Sequence, residues 1–244
     1  MTLSTARAVE AIRTHVHGLA DAAEGNFAAA VVGCPGWSVS DLVWHIRNVH
    51  YFWASVVEGL EADPAVIPEL ARPQSDVRLL GDYRAGVDRL VEILSSADQL
   101  APVWTWSHQK DVAFVTRHQV QETAVHRWDA ETAAGRPFAI EPDLAADSID
   151  EFLEHSTPSR NDDAQPREGT LHLHTTDAPG EWLITEDDKG QLRIEQGHHK
   201  GGAALRASAS DLLLMLYRRL GTDHGEIIGD RGVVERFLAR TNLD

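Results

Sequence analysis

The first 95 residues set their apolar side chains at three- and four-residue intervals in three separate runs. That period commits this part of the chain to helices packed along one face. The first run is Val9, Ile12, Val16, Leu19 and Ala23. Pro35 and Gly36 punctuate the chain before the second, which opens at Ser38 with Asp41 three residues on, a capping-box pattern. Its stripe is Leu42, Ile46, Val49, Trp53, Val56 and Leu60. A loop from Glu61 to about Gly81, marked by Pro64, Pro68 and Pro73, leads to a third run of Tyr83, Val87, Leu90, Val91 and Leu94. A fourth helix is predicted from about Val112 to Ala134, stopped by Gly135 with Pro137 behind it. Four helices joined with one long crossover make a four-helix bundle.

The second half changes period. Pro142 starts one more helix, and HSTPSRNDDAQPREG reads as a polar linker. TLHLHTT alternates like a half-buried strand, and EWLITEDDKGQLRIEQ reads as a hairpin turned at Asp188, Lys189 and Gly190. A short strand near Leu205 leads to a helix DLLLMLYRRL, capped by Ser208 or Ser210 and closed by Gly221, and a last helix covers Val233 to Arg240. Strands grouped beside helices predict a small α+β domain on an antiparallel sheet.

Composition excludes several classes. The net charge is −16, from 38 acidic against 22 basic residues, and no basic patch for a nucleic acid is visible. The longest apolar cluster, Leu212 to Leu216, is far too short to cross a bilayer, and no signal-peptide pattern opens the chain. With Cys34 alone no internal disulfide forms, which predicts a cytoplasmic protein. No Gly-rich phosphate loop and no G-x-S-x-G elbow is present, so nucleotide and serine-hydrolase chemistry lack support.

VQETAVHRWDAE, on the fourth helix, sets Glu122 and His126 four residues apart, so both project from the same side, about 6 Å apart along the axis. Two ligands are too few for a catalytic zinc, which takes about three protein ligands and an open position. The second helix offers a third. With Leu42 at zero and about 100° per residue, His45 falls about 60° to one side of the apolar stripe and His50 about 80° to the other. Either could close the set, with His45 slightly favoured. A solvated Glu–His pair is the competing account. His118, one turn before Glu122, is expected to face solvent. His172 and His174 share a strand face as a metal pair or as the outer face of an edge hairpin; His198 and His199 sit in a Gly-rich turn and are expected to be exposed. Cys34 precedes a tight turn with no base nearby in sequence, which favours a structural role over a nucleophilic one.

CPGWSVSDLVWHI (Cys34 to Ile46) and QETAVHRWDAETAAG (Gln121 to Gly135) resemble the mycothiol-dependent maleylpyruvate isomerase family, itself similar to the DinB-like metal-binding bundles. AADSIDEFL (Ala145 to Leu153), GTLHLHTTD (Gly169 to Asp177) and RASASDLLLMLYRRL (Arg206 to Leu220) resemble its C-terminal domain. The resemblance implies a DinB-like four-helix bundle over residues 1–140 and an α+β domain over 141–244. It further implies a divalent metal, typically zinc, on His45, Glu122 and His126, which selects His45 over His50. The implied reaction is addition of a metal-activated small thiol, mycothiol, to an electrophile. A positively charged zinc site lowers a thiol's pKa, and the thiolate is the nucleophile.

Asp129, one turn beyond His126, is then a candidate to accept its ring N–H, or else a surface acid. The family's C-terminal domain implies an arginine for a carboxylate of thiol or substrate: Arg219 or Arg218, with Arg206 next, unless the first two only complement a helix dipole. Gln121 departs from the family pattern, where a histidine often precedes the glutamate. The resulting expectation is a cytoplasmic, zinc-dependent mycothiol S-transferase or isomerase, monomeric or homodimeric, with no nucleic-acid or membrane partner. A non-catalytic metal- and ligand-binding module, or a metal-dependent hydrolase, are the alternatives.

Overall fold

The computed structural model describes residues 3–156 and 168–241, so most of the segment read as a polar linker lies outside the described residues. The chain divides into two compact units, Met1–Phe138 and Ala139–Asp244. Among the described residues no helix is long and apolar enough to cross a membrane.

The first unit is a four-helix bundle: α1 (Thr5–Ala23), α2 (Val39–Gly59), α3 (Asp76–Ser96) and α4 (Val112–Ala133). Helix α1 packs on α3 and α4, and α2 packs on the same two. Most of the stripes read from the sequence form the core: Ile12, Val16 and Leu19 of α1, Leu42, Ile46 and Val56 of α2, and Val87, Leu90 and Leu94 of α3 are almost wholly buried, while Leu60, the left-handed C-cap of α2, is exposed. Helix α3 begins at Asp76, inside the stretch read as loop through Gly81, because Ser75 caps it by accepting from Arg78 N–H. Helix α4 ends as expected, with Gly135 in the left-handed region at φ +69°.

Helix α4 differs from the other three. Thr116, Gln119, Gln121, Thr123, His126, Asp129 and Glu131 are all buried in it beside apolar neighbours. A helix that turns polar groups inward must satisfy them there, and it brings the site's chemistry into the bundle.

Helix α2, which carries His45, is fixed at its start. Ser38 Oγ accepts from Asp41 N–H at 3.3 Å, and Asp41 Oδ2 accepts from Ser38 N–H at 3.0 Å, completing the capping box. The Ser38 hydroxyl, then its backbone N–H, then Arg72 hold the Asp41 carboxyl down at about 2. A carboxyl with a depressed folded pKa contributes stability above its unfolded value and loses it as pH falls through the folded one. Ser38→Ala is expected to cost about 1 kcal/mol, read as a lower urea midpoint at unchanged m-value. The difference from wild type should shrink as pH falls from about 4 through 2, the range over which the Asp41 carboxyl becomes protonated first in the unfolded and then in the folded chain.

The second unit contains α5 (Pro142–His155), β1 (Leu171–Thr175), β2 (Glu181–Glu186), β3 (Leu192–Gln196), β4 (Ala203–Ala207), α6 (Ala209–Leu216), β5 (Glu226–Gly229) and α7 (Arg231–Leu238). The strand order is β3-β2-β1-β4-β5. The sheet is mixed rather than antiparallel throughout: β4 pairs with β1 in parallel, Leu173 opposite Leu205. The reason is a crossover. After the β2–β3 hairpin the chain returns past β2 and β1 to add β4 on β1's other side, which sets the two strands in the same direction. So β1 is central, and its histidines do not lie on an edge hairpin.

Leu171, Leu173, Trp182, Ile184 and Leu205 are buried on one face of the sheet, while α6 and α7 supply Leu212, Leu213, Val234 and Phe237 to the unit's core. Ser208, not Ser210, caps α6. That helix ends at Leu216 rather than near Gly221, because Arg218 takes a left-handed φ of +56° and its guanidinium binds the carbonyls of Leu238 and Ala239 at the end of α7. Strand β5, only four residues long, shows too little period to be read from the sequence.

Candidate metal centre

Two helices set three ligand atoms together. His45, from α2, places Nε2 3.1 Å from Glu122 Oε1 on α4, and His126, one turn further along α4, places Nε2 3.6 Å from the same oxygen. The two imidazole rings are 5.1 Å apart and nearly perpendicular. A tetrahedral zinc with ligand bonds of about 2.0–2.1 Å separates its donors by about 3.3 Å, so this His–Glu–His set fits a divalent ion in spacing and in donor chemistry. His45 is about one-third exposed while His126 is nearly buried, so the set is open on the α2 side.

The surroundings fix the donors. Asp129 Oδ2 lies 3.0 Å from His126 Nδ1, a bond that in the neutral ring would hold the proton on Nδ1 and leave Nε2, on the Glu122 side, to a cation. Trp37 lies against His45, ring centroids 5.0 Å apart. Burial by itself would raise the Glu122 carboxyl, but the His126 and His45 imidazoles, with His118 behind them, hold it well below the usual range. Burial would lower His126, yet its bonds to Asp129 and Cys34 and the charge of Glu122 raise it to about 10. The two shifts are reciprocal: the imidazoles favour an ionised Glu122, and Glu122 with Asp129 favours positive charge at His126.

His50, the other candidate on α2, is buried one turn and more away, with Nε2 3.3 Å from Thr123 Oγ1. Burial pushes it down to about 4, so it is neutral and structural. His118 does not face solvent. Its ring stacks on Phe114 at 5.5 Å and meets Trp53 and Trp106 edge-on, a cluster assembled from three segments that sequence spacing does not reveal. Gln121 is fully buried, its amide 3.2 Å from His118 Nδ1.

Cys34 has acidic and basic neighbours despite having none nearby in sequence. Its Sγ lies 3.8 Å from Asp129 Oδ2, 95 residues along the chain. It therefore shares Asp129 with His126 on the Nδ1 side, away from the Glu122 oxygen.

In the second unit, Arg219 donates from Nη1 to the Tyr217 carbonyl at 3.1 Å, with its guanidinium carbon 5.9 Å from the Tyr217 ring. Arg218 is engaged with the end of α7, and Arg206 pairs with Glu226 at 2.9 Å. Arg218 serves a neighbouring helix's carbonyls, not the C-terminus of its own.

A four-helix bundle with a His–Glu–His set across two of its helices places the protein among bundles with a candidate divalent-metal centre. The comparisons with known proteins name the family. The model of the mycothiol maleylpyruvate isomerase N-terminal domain matches residues 5–131, and that of the C-terminal domain of the same isomerase matches residues 143–236. The chain belongs to the mycothiol maleylpyruvate isomerase family, a family of enzymes. In structure it is similar to the crystal structure of a mycothiol-dependent maleylpyruvate isomerase, at 13% identity and TM-score 0.53, covering 93% of this chain and 95% of that one. A histidine-to-alanine mutant of a mycothiol-dependent maleylpyruvate isomerase covers the same shares at 13% identity and TM-score 0.59. At that identity the likeness shows the shared fold. No curated protein matches the chain in sequence.

Proposed function

We propose that the protein is a zinc-dependent enzyme that adds a low-molecular-weight thiol, mycothiol, to a small electrophile, as an S-transferase or as an isomerase of the maleylpyruvate type. The observation that carries this is the convergence of His45 Nε2 and His126 Nε2 on one Glu122 oxygen, at 3.1 and 3.6 Å, inside a family whose description names mycothiol. A divalent cation held there supplies positive charge that lowers a thiol's pKa toward neutrality. The chain's own residues do the rest. His45, Glu122 and His126 are the ligands, two neutral imidazoles and one carboxylate, which leaves the centre a net positive charge. Asp129 is the positioning residue that fixes the His126 tautomer. Arg219 is the residue offered to a carboxylate of thiol or substrate.

On α2, Trp44, Asn48, Tyr51 and Phe52 line an open cavity of about 330 Å³, with Ile67, Pro68, Glu69 and Leu70 on its other side. That volume suits a small organic molecule, and a wall of aromatic and aliphatic side chains with the Asn48 amide and the Glu69 carboxylate gives it both apolar and polar contacts. The protein acts in the cytoplasm as a monomer or homodimer, on small molecules alone.

The test is turnover. Zinc-loaded protein incubated with mycothiol and a panel of electrophiles, maleylpyruvate and chlorodinitrobenzene among them, should give thiol-dependent conversion that a chelator abolishes and zinc restores. Absence of turnover together with no thiol binding by calorimetry would leave a metal-binding module instead. Metal-dependent ester cleavage without thiol would leave a hydrolase.

A further inference from the structure

We propose that the C-terminal unit carries a second divalent-cation site, made by His172, His174, Glu181 and His198. It draws on no residue of the bundle. Strand β1 alternates Leu171 and Leu173 into the core with His172 and His174 on the other face, two residues apart and therefore side by side. Glu181, the first residue of β2, stands directly opposite His174 in the antiparallel register. His198 comes from the turn leaving β3, where Gly197 takes a φ of +105° and donates its N–H to the Glu181 carbonyl at 2.9 Å. A side chain at Gly197 would be strained at that φ, so glycine is what lets the crossover to β4 turn back toward the two histidines.

The distances match a coordination shell. Three imidazole nitrogens converge on Glu181 Oε2: His198 Nδ1 at 2.7 Å, His172 Nε2 at 3.1 Å and His174 Nδ1 at 3.5 Å. All four ligand atoms lie within 4.8 Å of one another. The separation expected between donors of a four-coordinate zinc is about 3.3 Å. Hydrogen bonding alone does not account for the cluster. His172 is only 6% exposed, and its Nε2, though 3.1 Å from the carboxylate, makes no hydrogen bond. A carboxylate oxygen has about two lone pairs, too few to serve three N–H groups well. A buried nitrogen aimed into a cluster of donors without a hydrogen-bond partner is accounted for when its partner is a cation.

Three nitrogens and one carboxylate select a zinc-type ion over magnesium or calcium, which take all-oxygen shells. Four protein ligands close the shell, and closed shells are structural. The ion's role is to clip the β3–β4 crossover onto the centre of the sheet.

The test uses the full chain, stripped with chelator and titrated with zinc alone, then with cobalt for its d–d absorption. Wild type should hold about two ions, His126→Ala one, His172→Ala one, and the double variant none. His198→Ala removes an exposed side chain, 83% accessible, so it keeps the fold while weakening the second ion at least about tenfold. Zinc should also raise the melting temperature of His126→Ala but not of His126→Ala/His198→Ala. If His126→Ala holds no zinc, or if His172→Ala and His198→Ala both keep two ions at wild-type affinity, the inference is overturned. A wild-type count of one that survives His126→Ala and is lost in His198→Ala upholds this site and removes the bundle centre instead, so the two failures are distinguishable.

Discussion

His126→Ala is expected to empty the bundle centre and take thiol-dependent turnover down to background. The substitution deletes one of three ligands and leaves His45 and Glu122, two donors on separate helices, to hold an ion that wants about three from the protein. Loss of outer hydrogen-bond partners alone weakens metal sites about 10- to 100-fold, so loss of a ligand should exceed about a hundredfold in zinc affinity. The imidazole is also buried and bonded to Asp129, so the variant gives up packing and strands part of a buried carboxylate's hydrogen bonding. His45→Ala separates these effects. His45 is about one-third exposed, and its loss should remove the ion and the activity at small cost in stability. Metal per chain after dialysis, with circular dichroism and urea midpoints on the same samples, checks both variants. A bundle ion retained at wild-type affinity in either variant would remove the assignment of ligands.

The bundle was legible because its signal is periodic. Val9 to Ala23, Leu42 to Val56 and Tyr83 to Leu94 each repeat at helical spacing, and those residues are the core. Helix α4 was placed by its stop signals instead, Gly135 with Pro137 behind it, while the polar residues it buries show in no apolar stripe. What the sequence hid was contact between distant segments. Cys34 meets Asp129 across 95 residues, and His118 enters a cage of Trp53, Trp106 and Phe114. No local spacing encodes either. Strand direction was hidden too, since Ala203 to Ala207 reads as a strand in either sense, and only pairing with β1 fixes it as parallel. Arg218 was misread for a similar reason, because its partners, the carbonyls at the end of α7, follow it by some 20 residues.

Asp129→Asn is expected to weaken zinc at the bundle centre by about 10- to 100-fold and to lower turnover in step, with little change in fold. The argument is about which ring nitrogen is bare. The Asp129 carboxylate only accepts, so it requires the proton of His126 to sit on Nδ1 and leaves Nε2 free toward Glu122. An asparagine amide both donates and accepts. Where its NH₂ turns to His126, the ring must put its proton on Nε2 and is lost as a ligand. Asp129 is also the largest of the causes that raise His126, to about 10, so it steadies a ring proton that zinc must displace. The variant therefore loses affinity for both the proton and zinc at His126, and the gap from wild type should narrow toward acid pH and widen toward alkaline pH. A residue that merely packs would shift the melting temperature and leave that pH profile parallel to wild type. Competition against a chromophoric chelator from about pH 6 to 9 reads the difference. Parallel profiles of equal affinity would show that Asp129 does not set the His126 tautomer.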